Sequence, residues 1–239
     1  KSKLELVAFS PSVAYRINAN ASFSAGIDYY WATGLKFNSS GLDVQGDGGD
    51  WAWNLCFLYD LDRLSLGLTY HSKANLDITG KFQPFVALPG GPPPGTVIPA
   101  KANLDLPWYL QAGVRYEFTE ALAVEFDYTR TGWSEFDQIQ IVGDGRGADG
   151  VTLATSTNNW DDANAYRLGI SYQLTPRTQL RFGYTLDKTG QKDDFFSARI
   201  PDNDRNLFSL GVGHNLGRLA GKAAAKHRQS GQRLLLCPG

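Results

Sequence analysis

The sequence predicts an all-β chain, a transmembrane antiparallel β-barrel of which about nine strands are present. Three observations predict it. Apolar and polar residues alternate with a period of two in segment after segment, which gives each strand one greasy and one wet face. The connections alternate in length: short turns at 18–21, 61–63, 119–121 and 175–178, long loops at 38–49, 81–103, 143–160 and 188–203. Short turns at one end and long loops at the other are the habit of outer-membrane barrels. The apolar faces also end, near the short turns, on Tyr15, Phe23, Tyr59, Tyr116, Phe118 and Tyr172, and such rings prefer the bilayer interface. A soluble barrel or β-sandwich alternates too, with its apolar phase inside, but has no reason to sort its loops this way.

The strands follow in order. The first covers residues 4–17 and is broken by Pro11. The second, 22–37, carries Phe23, Ile27, Tyr29, Trp31, Leu35 and Phe37 on its apolar phase. The third, 51–60, turns Trp53, Leu55, Phe57 and Tyr59 outward. The fourth, 64–79, reads as one unbroken alternation from Leu64 through Leu66, Leu68, Tyr70, Ala74 and Leu76 to Ile78. The fifth, 104–118, sets Trp108, Leu110, Val114 and Tyr116 out and Asp105, Gln111 and Arg115 in. The sixth starts with Leu122, Val124, Phe126 and Tyr128 and changes parity near Gly132 and Trp133 before Ile139 and Ile141, as a bulge would make it do. The seventh (165–174), eighth (179–187) and ninth (204–216) repeat the pattern, with Arg167, Arg181 and Asp187 on wet phases. From Gly217 the alternation stops, so residues 1–216 read as partial barrel and 217–239 as a non-barrel tail, frame-shifted or disordered.

Bulk properties set limits. The chain has 239 residues and a formal net charge of -1, which argues against a nucleic-acid partner. Its longest apolar runs fall well short of the roughly 18 residues of a transmembrane helix, as they do in a β-barrel, where alternation dilutes the signal. Aromatic residues make up 13% of the chain and glycines number 26, a composition that suits packed strands with interfacial rings. Met is absent and no initiator Met is present, which points to an internal or processed piece. The two cysteines, Cys56 and Cys237, have no metal or redox spacing.

Chemistry is sparse. The three histidines, His71, His214 and His227, lack metal-ligand neighbours at workable spacing. Neither a Gly-x-Ser-x-Gly elbow nor a phosphate-binding Gly-rich loop occurs. No catalytic residue, metal site or cofactor is therefore assigned. A serine nucleophile served by His71 is the one enzymatic reading, and a pore-lining polar residue is the plainer role. The inward cations Lys73, Arg115, Arg167 and Arg181 stand out. They fit either a compensated ladder of ion pairs with Asp28, Asp77, Glu117, Asp127 and Asp187, or a guanidinium fork that holds a carboxylate. Loop 81–103 contains a Pro/Gly run together with Phe85, Val86, Leu88, Val97 and Ile98. It either plugs part of the lumen or offers a greasy landing surface to a hydrophobic ligand.

Several segments carry a resemblance. The run W-A-W-N-L-C-F-L-Y-D-L-D-R-L-S-L-G-L-T-Y-H-S-K-A-N-L-D-I-T-G-K-F is similar to two adjacent strands of the FadL-type outer-membrane transporters. So, in order, are L-P-W-Y-L-Q-A-G-V-R-Y-E-F, W-S-E-F, D-D-A-N-A-Y-R-L-G-I-S-Y-Q-L and I-P-D-N-D-R-N-L-F-S-L-G-V-G. The resemblance covers roughly residues 4–216 and implies part of a 14-stranded barrel. In that family an N-terminal hatch plugs the lumen, and long-chain fatty acids or other hydrophobic compounds pass to a lateral opening. It implies the Gram-negative outer membrane as location, a fatty acid or hydrophobic small molecule as ligand, outer-membrane lipid or detergent as surroundings, and a monomer when complete. These strands would be the fourth to the twelfth, and the piece alone would be inactive. Loop 38–49 departs from the family, being short and polar. A general porin or structural barrel, and an outer-membrane lipid hydrolase, are the alternatives.

Overall fold

In the computed structural model the described residues are 2–38, 42–87, 92–145, 149–196 and 201–216; the tail beyond 216, and Leu88, lie outside them. They form fourteen strand segments in one antiparallel sheet. In order these are β1 (Ser2–Phe9), β2 (Ser12–Arg16), β3 (Ala21–Asn38), β4 (Leu42–Leu61), β5 (Leu64–His71), β6 (Ala74–Pro84) and β7 (Ile98–Leu106). There follow β8 (Tyr109–Glu117), β9 (Leu122–Thr131), β10 (Gln138–Gly143), β11 (Thr152–Thr157), β12 (Ala163–Thr175), β13 (Thr178–Lys188) and β14 (Arg205–His214). Ten of the segments are halves of five interrupted strands: β1/β2, β5/β6, β7/β8, β9/β10 and β11/β12. Together with β3, β4, β13 and β14 they make nine staves in a simple meander. Among the described residues β14 pairs only with β13, and β1 and β2 only with β3, so the sheet is open.

From β3 to β13 the exposed large apolar side chains fall on one phase. Below the interruptions Leu66, Leu68, Val114, Tyr116, Phe126, Tyr166, Phe182, Phe208 and Leu210 are exposed on the outer face. Ser24, Asp28, Asn54 and Thr69 are buried on the inner face. A water-soluble sheet would reverse that arrangement. The outer face is bordered by rings: Tyr29 against Trp51 at 4.7 Å, Trp53 against Tyr70 at 5.1 Å and Tyr128 against Tyr166 at 5.3 Å. At the short-turn end Tyr116 meets Phe118 edge-on at 4.9 Å.

The unbroken alternation of residues 64–79 turns out to be two strands with opposite facing. β4 pairs with β5 through Asn54–His71 and with β6 through Gly49–Asp77, a shift of one residue across Ser72 and Lys73. Because side chains alternate, a one-residue slip moves the whole apolar set to the other face. Leu66 and Leu68 are exposed outside, whereas Ala74, Leu76, Ile78 and Phe82 are buried inside. β3 slips likewise between Ala32 and Leu35, which brings Leu35 onto the inner cluster. β4 does not slip and changes its pattern instead: Trp51, Trp53, Leu55 and Phe57 face out below, Gln45 and Asp47 above. Ser72 makes the slip affordable by lending its hydroxyl to the Trp53 N–H at 3.0 Å, while its own N–H donates to the Trp53 carbonyl. Asp77 and Asp105, expected on the inner phase, consequently lie on the outer face above the slip, opposite Asn103 and Asn75.

The expected loop at 38–49 is mostly strand, since β4 begins at Leu42. Its Gly/Asp content reads as a turn, but the glycines serve close strand approach. A Cβ on Gly48 would collide with the Asp77 carbonyl, and one on Gly80 with the Gln45 carbonyl. Loop 81–103 shrinks to the stretch between Pro84 and Ile98, and residues 152–157 of the expected loop 143–160 form β11. The parity change near Trp133 is made by a 3-10 turn, η1 (Trp133–Glu135), not by a bulge.

Candidate functional site

The inner face of the sheet is where several strands bring buried polar side chains together, and it is tiered. The upper tier is apolar. Ala32, Ala52, Ala74, Leu76, Ile78 and Leu104 pack with Phe136 and Trp160. Trp133 stands 5.2 Å from Trp160, and Phe136 5.5 Å from it. Higher still, Val44, Phe82, Ala100 and Leu153 form a second cluster. Lys73 and Glu135 tie η1 to the strand interruption, Nζ donating to Oε2 at 2.8 Å.

The middle tier is a buried polar group. Asp28 is fully buried; Asn54 Nδ2 donates to its Oδ1 at 2.9 Å, and His71 Nδ1 lies 3.1 Å from its Oδ2. The His71 ring stacks on Tyr109 at 4.4 Å and 15°. Asn54, His71 and Tyr109 share one cross-strand row, which is why residues far apart in sequence meet there. The sequence placed His71 and Asp28 on wet phases but carried no sign of their pairing, 43 residues apart.

The lower tier holds the three expected arginines, each on the inner face. Arg115 is nearly buried between Glu125 and Glu117, 3.6 Å from each. Arg167 Nη1 donates to Thr129 Oγ1 at 2.7 Å and stands opposite Asp127 across the β9–β12 ladder. Asp127 Oδ1 is buried without a hydrogen-bond partner among the described residues. Arg181 Nε donates to Gln179 Oε1 at 2.9 Å and has no ion pair among the described residues. Glycines open space beside these long side chains: a Cβ on Gly169 or Gly211 would meet only ordinary contacts at 3.7 Å.

The remaining expected residues do not join this group. Lys73 lies in the strand interruption with its charge on Glu135. Phe85 is exposed just past β6, as are Val86 beside it and Val97 just before β7. Leu88 lies outside the described residues. Among the described residues no group of His, Cys, Asp and Glu could hold a metal ion.

Comparison with known proteins agrees with this architecture. The family model described as outer membrane protein transport protein (OMPP1/FadL/TodX) matches residues 1–220. The long-chain fatty acid transport protein of Escherichia coli O6:H1 is 25% identical over 254 residues, covering 89% of the chain and 56% of the relative. A Pseudomonas aeruginosa FadL homologue superposes with a TM-score of 0.73 at 22% identity, over 89% of this chain and 56% of that one. The Ralstonia pickettii toluene transporter TbuX gives a TM-score of 0.67 at 16% identity, over 91% and 60%. The chain spans between 33% and 56% of the curated relatives it matches.

Proposed function

The chain belongs to the outer membrane protein transport family (OMPP1/FadL/TodX), a family of non-enzymatic outer-membrane channels, and from that premise we propose that its nine staves form part of the wall of a channel for hydrophobic compounds. The observation that carries this is the inverted sheet. Large apolar side chains are exposed outside while Asp28, Asn54 and Thr69 are buried inside, as a wall between lipid and a polar lumen requires. Residues 1–216 are read as this wall and 217–239 as a separate tail; the family match supports the first part.

The proposed cargo is a long-chain fatty acid or a monoaromatic hydrocarbon. Support comes from the relatives, one described as a long-chain fatty acid transport protein and one as a toluene transporter. The ligand lands on the exposed apolar residues after β6, Phe85 and Val86, and passes the apolar upper tier. A carboxylate head then meets the lower tier. Arg115 already faces two carboxylates, so Arg181 is the guanidinium with the most to offer an anion. Passage is diffusive and needs no covalent chemistry. The open sheet encloses no lumen by itself, so the piece alone does not transport, and the completed barrel works as a monomer. A water-filled porin is disfavoured by the packed ring cluster of Trp133, Phe136 and Trp160.

The test is fatty-acid binding to a barrel completed with a relative's remaining strands. A charge-assisted hydrogen bond contributes about 1.5–3 kcal/mol, so Arg181→Ala weakens laurate binding by roughly 10- to 100-fold. Arg115→Ala weakens it less. Equal affinity in Arg115→Ala, Arg167→Ala and Arg181→Ala would remove the arginines from the headgroup role.

A further inference from the structure

The middle tier has a feature that the arginine tier lacks: an oriented imidazole with one nitrogen left over. Both oxygens of Asp28 receive a partner, Asn54 Nδ2 at 2.9 Å on Oδ1 and His71 Nδ1 at 3.1 Å on Oδ2. A carboxylate accepts and does not donate, so the hydrogen of this contact belongs to Nδ1, and the neutral form of the ring, the form the proposal uses, has its lone pair on Nε2. Nε2 has no partner among the described residues. The ring cannot easily turn away, because it is stacked on Tyr109 at 15° and tied to the buried Asp28. It retains 16% side-chain exposure on the inner face. Directly above begins the apolar tier of Ala32, Ala52 and Leu76, with Tyr30 packed at its edge.

We propose that His71 is a binding residue for neutral hydroxyl-bearing hydrophobic molecules, phenols and alkanols, whose O–H donates to Nε2 while the apolar body lies against the upper tier and the Tyr109 ring. The chemistry selects this class. A hydrocarbon has no donor for the lone pair. A carboxylate has none either, and would face the negative charge of Asp28 across the ring. A neutral O–H meets both conditions. The inference rests on the reading of the inner face as the cargo's path. It adds a discrimination to that reading: anionic heads to Arg181, neutral hydroxyl heads to His71.

The test uses the full chain in detergent micelles, labelled with 15N at histidine, and titrated with phenol, toluene and benzoate. Only three histidines are present, so the His71 ring signals are separable by His214→Gln and His227→Gln variants. Phenol should move the His71 Nε2 resonance, and toluene and benzoate should leave it in place. His71→Phe keeps a ring for stacking and removes the acceptor; it should weaken phenol binding about 3- to 10-fold, the range of one neutral hydrogen bond, with toluene unchanged. An unmoved Nε2 resonance in the wild-type chain overturns the proposal even if His71→Phe fails to fold. An equal loss for phenol and toluene overturns it as well, since it would show a structural role only. Absence of phenol binding overturns this proposal, whereas the transport reading stands or falls on laurate binding to the completed barrel.

Discussion

Replacing Phe126 by Arg puts a charge on the outer face of β9, where Phe126 is 43% exposed and lies between Val114 on β8 and Leu168 on β12. The flanking rings locate it in depth. On β8 the outer phase runs from Trp108, beyond one end of the strand, to Tyr116 near the other. Eight residues span about 26 Å along a strand, or about 20 Å along the membrane normal at a tilt of about 40°. Val114, directly opposite Phe126, falls within this interval. Arg on the lipid face costs about 2–4 kcal/mol at mid-depth and about 0–1 kcal/mol near the interface. Val114 is two residues from Tyr116, about 5 Å from that ring along the normal, so Phe126→Arg should cost about 1–3 kcal/mol and lower the folded-to-unfolded ratio by roughly 5- to 150-fold. Phe118→Arg, at the short-turn end, should stay within about 1 kcal/mol. The assay is urea-dependent folding of the chain into short-chain phosphatidylcholine vesicles, followed by tryptophan fluorescence and by gel migration with and without boiling. In a sheet whose exposed phase faces water, the same change stays within about 0.5 kcal/mol. A neutral or stabilising Phe126→Arg would therefore refute the assignment of that phase to lipid.

Two further outcomes follow from local geometry. Gly80→Ala drives a Cβ into the Gln45 carbonyl and should destabilise by about 1–3 kcal/mol, whereas Gly169→Ala, which meets only Glu125 at 3.7 Å, should stay within about 0.5 kcal/mol in the same urea titration. Asp162 is held below the usual carboxylate range by the Ser134 hydroxyl at 2.7 Å, with Arg130 adding to it against the opposing effect of desolvation. A lowered folded-state value contributes stability above the unfolded Asp pKa of about 3.9 and loses it as pH falls through the lower folded value. Acid titration should then loosen η1 below about pH 4, read by Trp133 emission, and Asp162→Asn should remove that acid step.

Much of the architecture is legible in the sequence because lipid and water impose the period-two pattern directly. The nine staves, the short turns and the outward rings follow from it. The slip at Ser72 and Lys73 is not legible, because the apolar parity runs on unbroken from Leu64 to Ile78 while the surroundings change. Above the lipid the outer face must meet water, and the chain achieves this by shifting register by one residue rather than by changing its alternation. β4 solves the same problem the other way, by changing its residues. The strand at 42–49 is hidden because Gly46 and Gly48 look like turn residues until the backbone of β6 is seen against them, and Gly49 until the Tyr30 carbonyl of β3 is. The arginines were visible as inward cations, but their division into a compensated Arg115 and an ion-pair-free Arg181 depends on cross-strand register. The Asp28–His71 pair depends on it as well.

The central claim, that this sheet is a lipid-facing wall whose apolar phase crosses to the inside at Ser72 and Lys73, is tested most directly by single-cysteine scanning of residues 65–78 in a Cys56→Ser, Cys237→Ser background in bilayers. A lipid-soluble quencher and a water-soluble alkylating reagent are read at each labelled position. The account predicts lipid contact at 66 and 68, water access at 75 and 77, and protection from both reagents at 76 and 78. Lipid contact continuing at 76 and 78 would contradict the slip, and water access at 66 and 68 would contradict the membrane wall itself.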